Sequence, residues 1–246
     1  MSDLPVAGNS PRNRFDPVRE RVKELEWLLP VPLQRPLLRI FGQRHDPYSD
    51  RIHATRGIFI HIPRTGGSSI ATAMGVSHFH YPVCRYSAFN PTAFRQYFKF
   101  GFVRNPWDRL LSAYAYLRAH IDKTRPFPNT LWARRHLSEF DDFERFVLAL
   151  RDPSARRTIM RHIHFRPQLD WTSMPGSTRV ELDFVGRFET LAEDFRKIAQ
   201  RLDIDADLPV TNASSHGDYR NEYSTRMRAI AAELYREDID AFSYEF

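Results

Sequence analysis

Gly57-Ile-Phe-Ile-His-Ile-Pro-Arg-Thr-Gly-Gly-Ser-Ser-Ile-Ala-Thr-Ala-Met74 is the stretch whose reading decides the fold. Its β-branched and aromatic run from Gly57 to Ile62 predicts a buried strand, Pro63 to Ser69 a glycine loop, and Ile70 to Met74 the body of a helix that starts near Ser68. A strand delivered through Gly66 and Gly67 into a helix points several backbone N–H groups at one spot, with the positive helix end behind them. The glycines let the backbone approach a ligand, Thr65, Ser68 and Ser69 add hydroxyl donors, and Arg64 adds a fixed positive charge. The segment reads as an anion cradle; the plainer alternative is a glycine turn joining strand to helix. No G-x-x-x-x-G-K-[ST] can be written through it, and no lysine lies between 24 and 98. A magnesium-dependent nucleotidase is therefore disfavoured.

A second unit of the same kind follows. Phe98-Lys-Phe-Gly-Phe-Val103 predicts a strand, Arg104-Asn105 a turn, and Pro106 to about Arg118 a helix with Asn105 as its cap and proline at the first helical position. Asp108, three residues after the cap, is expected to satisfy open amides of the first turn. Trp107, Leu110, Leu111 and Tyr114 make one apolar face. Arg104 at the strand end and Ser112, roughly 9 Å along the helix axis, can clamp a second phosphate; alternatively Ser112 bonds its own helix backbone. Further helices are expected over Glu139–Leu150, Leu191–Leu202 and Ser224–Ala241, and a strand over Leu182–Gly186. Strands separated by helices mean an α/β fold, here a P-loop-like three-layer arrangement around a central, largely parallel sheet.

The chain of 246 residues carries 36 Lys+Arg against 30 Asp+Glu, with 42% hydrophobic residues and one cysteine. Its length suffices for one well-buried core. A single cysteine, Cys84, excludes an internal disulfide and a Cys-based zinc cluster, so a reducing compartment and a cytoplasmic location are expected. No stretch approaches the roughly 18 apolar residues of a transmembrane span, and the first 30 positions lack the apolar block of a secretory signal. Up to residue 180 there are 28 basic and 15 acidic residues, and the last 66 residues carry 8 and 15. Anion binding thus belongs in the first part. Residues 1–52 are rich in proline and arginine and read as an arm, with short helical segments at Val18–Leu29 and Leu37–Phe41, that packs on a domain formed by 53–246. Peripheral contact with a membrane surface through that arm is the alternative.

The two units resemble carbohydrate sulfotransferases, of the Golgi and heparan type and their bacterial relatives. His61-Ile-Pro-Arg-Thr-Gly-Gly-Ser-Ser69 is similar to that family's 5′-phosphosulfate loop, and Phe102-Val-Arg-Asn-Pro-Trp-Asp-Arg-Leu-Leu-Ser-Ala-Tyr114 to its 3′-phosphate motif. The likeness continues through Asp183–Leu191 and Tyr235–Phe246. It implies a sulfuryl transfer from 3′-phosphoadenosine-5′-phosphosulfate (PAPS), with no metal. Arg64, Thr65, Gly66, Gly67, Ser68 and Ser69 would hold the phosphosulfate, and Arg104 and Ser112 the 3′-phosphate. The family usually has lysine where this chain has Arg64. Arginine keeps the charge but gives up no proton, so electrostatic stabilisation survives and general-acid help at that position does not.

Sulfuryl transfer needs a group to take the acceptor's proton, a task suited to histidine. His78 and His80 lie between the two motifs, and alternate spacing in an extended segment puts both imidazoles on one face. The resemblance matches His80 to the catalytic base of heparan-type members. His78 and His164 are assigned to the acceptor, the latter within a His164-x-x-Pro-Gln168 segment that reads equally as a solvated face. A zinc site from His162 and His164 has no recognised spacing. His61 reads as structural, Glu189 as a first-turn carboxylate of the helix that follows it, and Trp107 and Trp171 as buried.

The expected partner is a carbohydrate or glycoconjugate hydroxyl, with acceptor contacts in loops such as 81–97 and 119–138. Two rival classes remain on sequence alone. One is a nucleotide-dependent phosphoryl-transfer enzyme, which lacks its P-loop lysine here. The other is a non-catalytic polyanion or nucleotide binder, although nucleic acid is not expected as a partner.

Overall fold

The computed structural model describes residues 46–124, 127–208 and 217–246. The expected helical segments of the N-terminal arm lie outside the described residues. In chain order the elements are α1 (Asp50–Thr55), β1 (Gly57–Ile60), α2 (Gly67–Met74), α3 (Val83–Phe89), α4 (Pro91–Gln96), β2 (Phe98–Val103), α5 (Pro106–Ile121), α6 (Pro128–His136) and α7 (Phe143–Ala149). They continue with α8 (Pro153–Met160), α9 (Leu169–Thr172), β3 (Phe184–Arg187), α10 (Leu191–Leu202), α11 (Thr225–Leu234) and α12 (Arg236–Phe242).

Among the described residues the sheet is parallel, in the order β1-β2-β3, with Phe59 opposite Phe100 and Phe100 opposite Phe184. Because successive strand residues point to opposite faces, each strand feeds two cores. Phe59, Phe100 and Phe102 pack with Ile70 and Met74 of α2 and Phe195 and Ile198 of α10. Ile58 and Ile60 face the other way, against Tyr81, Val83, Tyr86 and Trp171. Burying each such side chain stabilises by about 1.5–3 kcal/mol, so both layers of helices are anchored through one central sheet. The second core also takes in Tyr48 and Ile52, residues counted at sequence level with the arm. A third cluster joins α5 to α6, α7 and α11 through Leu117, Ala133, Phe146 and Met227. The α/β, three-layer expectation is what the structure shows.

Local boundaries differ from expectation for identifiable reasons. The helix expected from Glu139 begins only at Phe143, because the Asp142 carboxylate accepts from Arg145 N and caps it there. The terminal helix is two helices broken at Tyr235, whose hydroxyl donates to Phe165 O at 2.7 Å while Asp238 accepts from the backbone of Gln168 and Leu169. Those buried bonds compete successfully with a continuous helix. The stretch 81–97, expected as acceptor loop, is mostly the helices α3 and α4 with Val83, Cys84 and Phe94 in the core. Asn90 and Pro91, a cap followed by a first-turn proline, carried that signal. Likewise 119–138 contains the end of α5 and all of α6. Among the described residues no helix is long and apolar enough to cross a membrane.

Candidate active site

β1 ends at Ile60 and the chain turns through Arg64 and Gly66, both with positive φ (71° and 76°), before α2 begins at Gly67. For arginine the left-handed conformation costs about 1–2 kcal/mol, strain of the kind found where a loop serves a ligand. Thr65 Oγ1 donates to Ile62 O at 3.0 Å and is fully buried, so this hydroxyl, expected as an anion donor, instead closes the loop on itself. Ser69 is buried in the first turn, while Ser68 is exposed. No side chain caps α2 and its first turn holds no carboxylate, which leaves its N-terminal amides suited to an anion. Gly67 must lack a side chain: a Cβ there falls 2.2 Å from the His61 ring.

β2 delivers the second unit beside the first. Asn105 caps α5 as expected, accepting from Trp107 N. The Asp108 carboxylate accepts from Arg104 Nε at 2.7 Å, and both side chains are largely buried. Charge attraction at low exposure strengthens this bond. Arg104 also lies over the Phe188 ring at 4.1 Å and donates to Arg64 O at 3.3 Å. Gln168 fixes its backbone, accepting from Arg104 N and donating to Arg104 O.

Arg64 joins the two units. Its Nε and Nη2 donate to Ser112 Oγ at 3.2 and 2.9 Å, and its guanidinium lies 4.5 Å over Tyr116. Ser112 Oγ thus faces the first unit as an acceptor for Arg64. Arg109, buried to 1% exposure, donates to Pro63 O and Arg166 O and holds the loop from below. Burial, reinforced by Arg104 and Arg109, lowers Arg64 to about 10. Such a crowd of cations makes a strongly electropositive site.

The histidines gather behind the loop. His80 Nδ1 lies 2.8 Å from His61 O; a carbonyl only accepts, so Nδ1 carries the proton and the basic lone pair is on Nε2. The His61 and His80 rings are 4.1 Å apart, and His78 lies 6.4 Å from His61 with Nε2 at 3.4 Å from Thr72 Oγ1. Both histidines of the His-x-His segment thus turn toward His61, as alternate spacing predicted. His164 is buried, 6.4 Å from His80 and 4.9 Å from Tyr116, with Nε2 against Asn129 Nδ2 at 3.3 Å. Burial, then His162, His80 and the arginines, holds it well below the ordinary histidine range. The solvated-face reading of this segment fails at His164, though His162 packs on Trp132 nearer the surface. Among the described residues no group of three or more histidine, cysteine or carboxylate side chains is placed to hold a metal.

Glu189 is structural by a route other than expected: it accepts from Asn105 N at 2.7 Å and Tyr244 OH at 3.0 Å, tying the C-terminal segment to the start of α5. Trp107 and Trp171 are buried, as read. The roles of Arg109 and Gln168 in holding the Arg64 loop and Arg104, and the presence of Tyr116 and Asn129 beside Arg64 and His164, were not foreseen from sequence. Arg109 and Tyr116 were within reach, since Arg109, Ser112 and Tyr116 recur at the spacing of one helix face.

The residues present fit a doubly anionic nucleotide. Arg104 Nη2 is buried without a hydrogen-bond partner, no side chain caps α2, and Arg104 reaches the Arg64 loop through its bond to Arg64 O. A family model described as "Sulfotransferase family" matches residues 58–245. No significant match is found among curated proteins or solved structures.

Proposed function

The chain belongs to the sulfotransferase family, a family of PAPS-dependent enzymes, and we propose that it transfers the sulfuryl group to a hydroxyl of a carbohydrate or glycoconjugate. The observation that carries the proposal is the meeting of both anion motifs at Arg64, whose side chain contacts Ser112 and whose carbonyl receives Arg104. PAPS, when bound, supplies a sulfur bonded to a good phosphate leaving group.

Arg104 and Ser112 orient the nucleotide through its 3′-phosphate, and the amides from Gly67 onward with the Ser68 hydroxyl hold the phosphosulfate. His80 Nε2 takes the proton from the acceptor hydroxyl as the new O–S bond forms. The bond from sulfur to the 5′-phosphate oxygen breaks, its electron pair stays on that oxygen, and Arg64 with the loop amides offsets the charge there. Preorganised positive charge and positioning are the main sources of rate. His78 and His164 flank His80 and are assigned to the acceptor. The lone cysteine, Cys84, supports a reducing, cytoplasmic setting, and the carbohydrate assignment rests on the His-x-His resemblance.

Incubation with isotopically labelled PAPS and a panel of glycan-bearing extracts, followed by identification of the labelled product, tests the function. Label on a carbohydrate that disappears with His80→Ala is the expected result. Labelled protein or small alcohols alone would overturn the acceptor assignment.

A further inference from the structure

His61 sits where the two halves of the proposed chemistry touch. It is the first residue after β1, 4% exposed, and its ring stacks on Phe59 with centroids 5.5 Å apart. On one side the ring abuts the donor loop: the position of a Cβ on Gly67 falls 2.2 Å from its Cδ2 and 2.5 Å from its Nε2. Gly67 is the first residue of α2, so the ring touches the backbone that begins the amide cradle. On the other side lies His80. The His61 carbonyl accepts from His80 Nδ1 at 2.8 Å and the two rings are 4.1 Å apart. The His78 ring, 6.4 Å from that of His61, lies on the same segment as His80.

We infer that His61 is a positioning residue that sets the distance between the phosphosulfate loop and His80, its ring acting as a spacer between Gly67 and the His80 imidazole and its carbonyl selecting the His80 tautomer. The inference rests on His80 being the base.

Three features favour this over simple core filling. A core residue at the end of a buried strand has no need of polar atoms, and burying one without a partner is destabilising; His61 Nδ1 is buried with no hydrogen-bond partner, where an aliphatic side chain like those of Ile58 and Ile60 would avoid that cost. The contact with Gly67 is tight enough to dictate glycine there, so ring and loop are fitted to each other. Finally, burial and the neighbouring His80 and His78 push His61 down to about 2, so the spacer stays neutral throughout the working range and does not add a cation beside the base. His61 contacts the donor loop at Gly67 and the base at His80. Its effect on rate runs through the position of His80, where misplacement by about 1 Å costs on the order of 10²-fold.

The experiment compares His61→Ala, which keeps the carbonyl and removes the spacer, with His61→Asn, which restores the half of the ring nearest Cβ, and with His80→Ala, alone and combined. Turnover of labelled donor gives kcat, titration calorimetry gives the dissociation constant of adenosine 3′,5′-bisphosphate, and thermal unfolding in its presence checks folding. The inference expects kcat to fall about 30- to 100-fold in His61→Ala and to recover in part in His61→Asn, with bisphosphate affinity within threefold of wild type. It also expects His61→Ala to cost less than twofold when added to His80→Ala, since the residue acts through His80. Wild-type turnover in His61→Ala beside an inactive His80→Ala would overturn the inference and leave the base in place. A full further loss in the combined variant would overturn it too, because His61 would then be acting on the fold. Should His61→Ala not fold, the same comparisons are read from His61→Asn. Full activity of His80→Ala is the separate outcome in which the base assignment itself fails.

Discussion

Alanine at Gly67 tests how closely the donor loop is fitted to the histidine behind it. The added Cβ falls 2.2 Å from His61 Cδ2, and ordinary contact begins near 3.4 Å. The ring must therefore retreat by about 1.2 Å in an interior packed like a crystal. It has little room, with Phe59 stacked at 5.5 Å and His80 at 4.1 Å. Shifting a catalytic group by about 1 Å costs roughly 10²-fold in rate, equivalent to about 2.7 kcal/mol of transition-state stabilisation. The helix itself favours the change, because alanine exceeds glycine in helix propensity by up to about 1 kcal/mol. Turnover should thus fall far more than stability. Labelled sulfuryl transfer gives kcat, and thermal unfolding with and without adenosine 3′,5′-bisphosphate separates lost chemistry from lost fold. Adding His61→Ala to Gly67→Ala removes the collision, so the double variant should match His61→Ala alone. A Gly67→Ala enzyme with wild-type turnover would refute the reasoning.

Arg64→Ala removes the charge shared by both anion motifs and should lower kcat at least 10³-fold, measured by single turnover, whereas Arg64→Lys keeps charge and should stay within about tenfold of wild type. Acid should destabilise the fold. His61 and His164 are buried and neutral, with folded-state values lowered to about 2 and well below the ordinary range. Above about pH 6.5 both folded and unfolded chains hold them neutral; below it only the unfolded chain binds protons, so stability is lost as pH falls, on the order of 1 kcal/mol per pH unit for each. Asp238, raised to about 6 by burial, works the other way: its contribution is greatest below about pH 4 and lost as pH rises through 6. Two histidines outweigh one carboxylate, and a lower melting temperature at pH 5 than at pH 7.5 is the expected result.

Both strand-loop-helix units were legible in the sequence because local rules act in the same direction there. β-branched and aromatic runs, two glycines, and an Asn-Pro cap each specify one backbone outcome. Their adjacency as parallel neighbours followed from the α/β alternation. The break at Tyr235 was not legible, since it depends on Phe165 O and the backbone of Gln168, some 70 residues away in sequence. Local helical periodicity carries no trace of such a bond. The same holds for Asp108, whose carboxylate accepts from Arg104, and for Glu189, which serves Asn105 and Tyr244 rather than its own helix. The direct contact between Arg64 and Ser112 was the finding that sequence spacing could least supply: 48 positions separate them.

The central claim is that two loops build one site for a nucleotide phosphorylated at both ends. Calorimetric titration with adenosine 3′,5′-bisphosphate and with adenosine 5′-monophosphate tests it most directly. The account predicts that the bisphosphate binds at least tenfold more tightly, corresponding to about 1.4 kcal/mol or more from Arg104 and Ser112, and that Arg104→Gln combined with Ser112→Ala erases the difference. Equal affinity of the wild-type protein for the two nucleotides would contradict it.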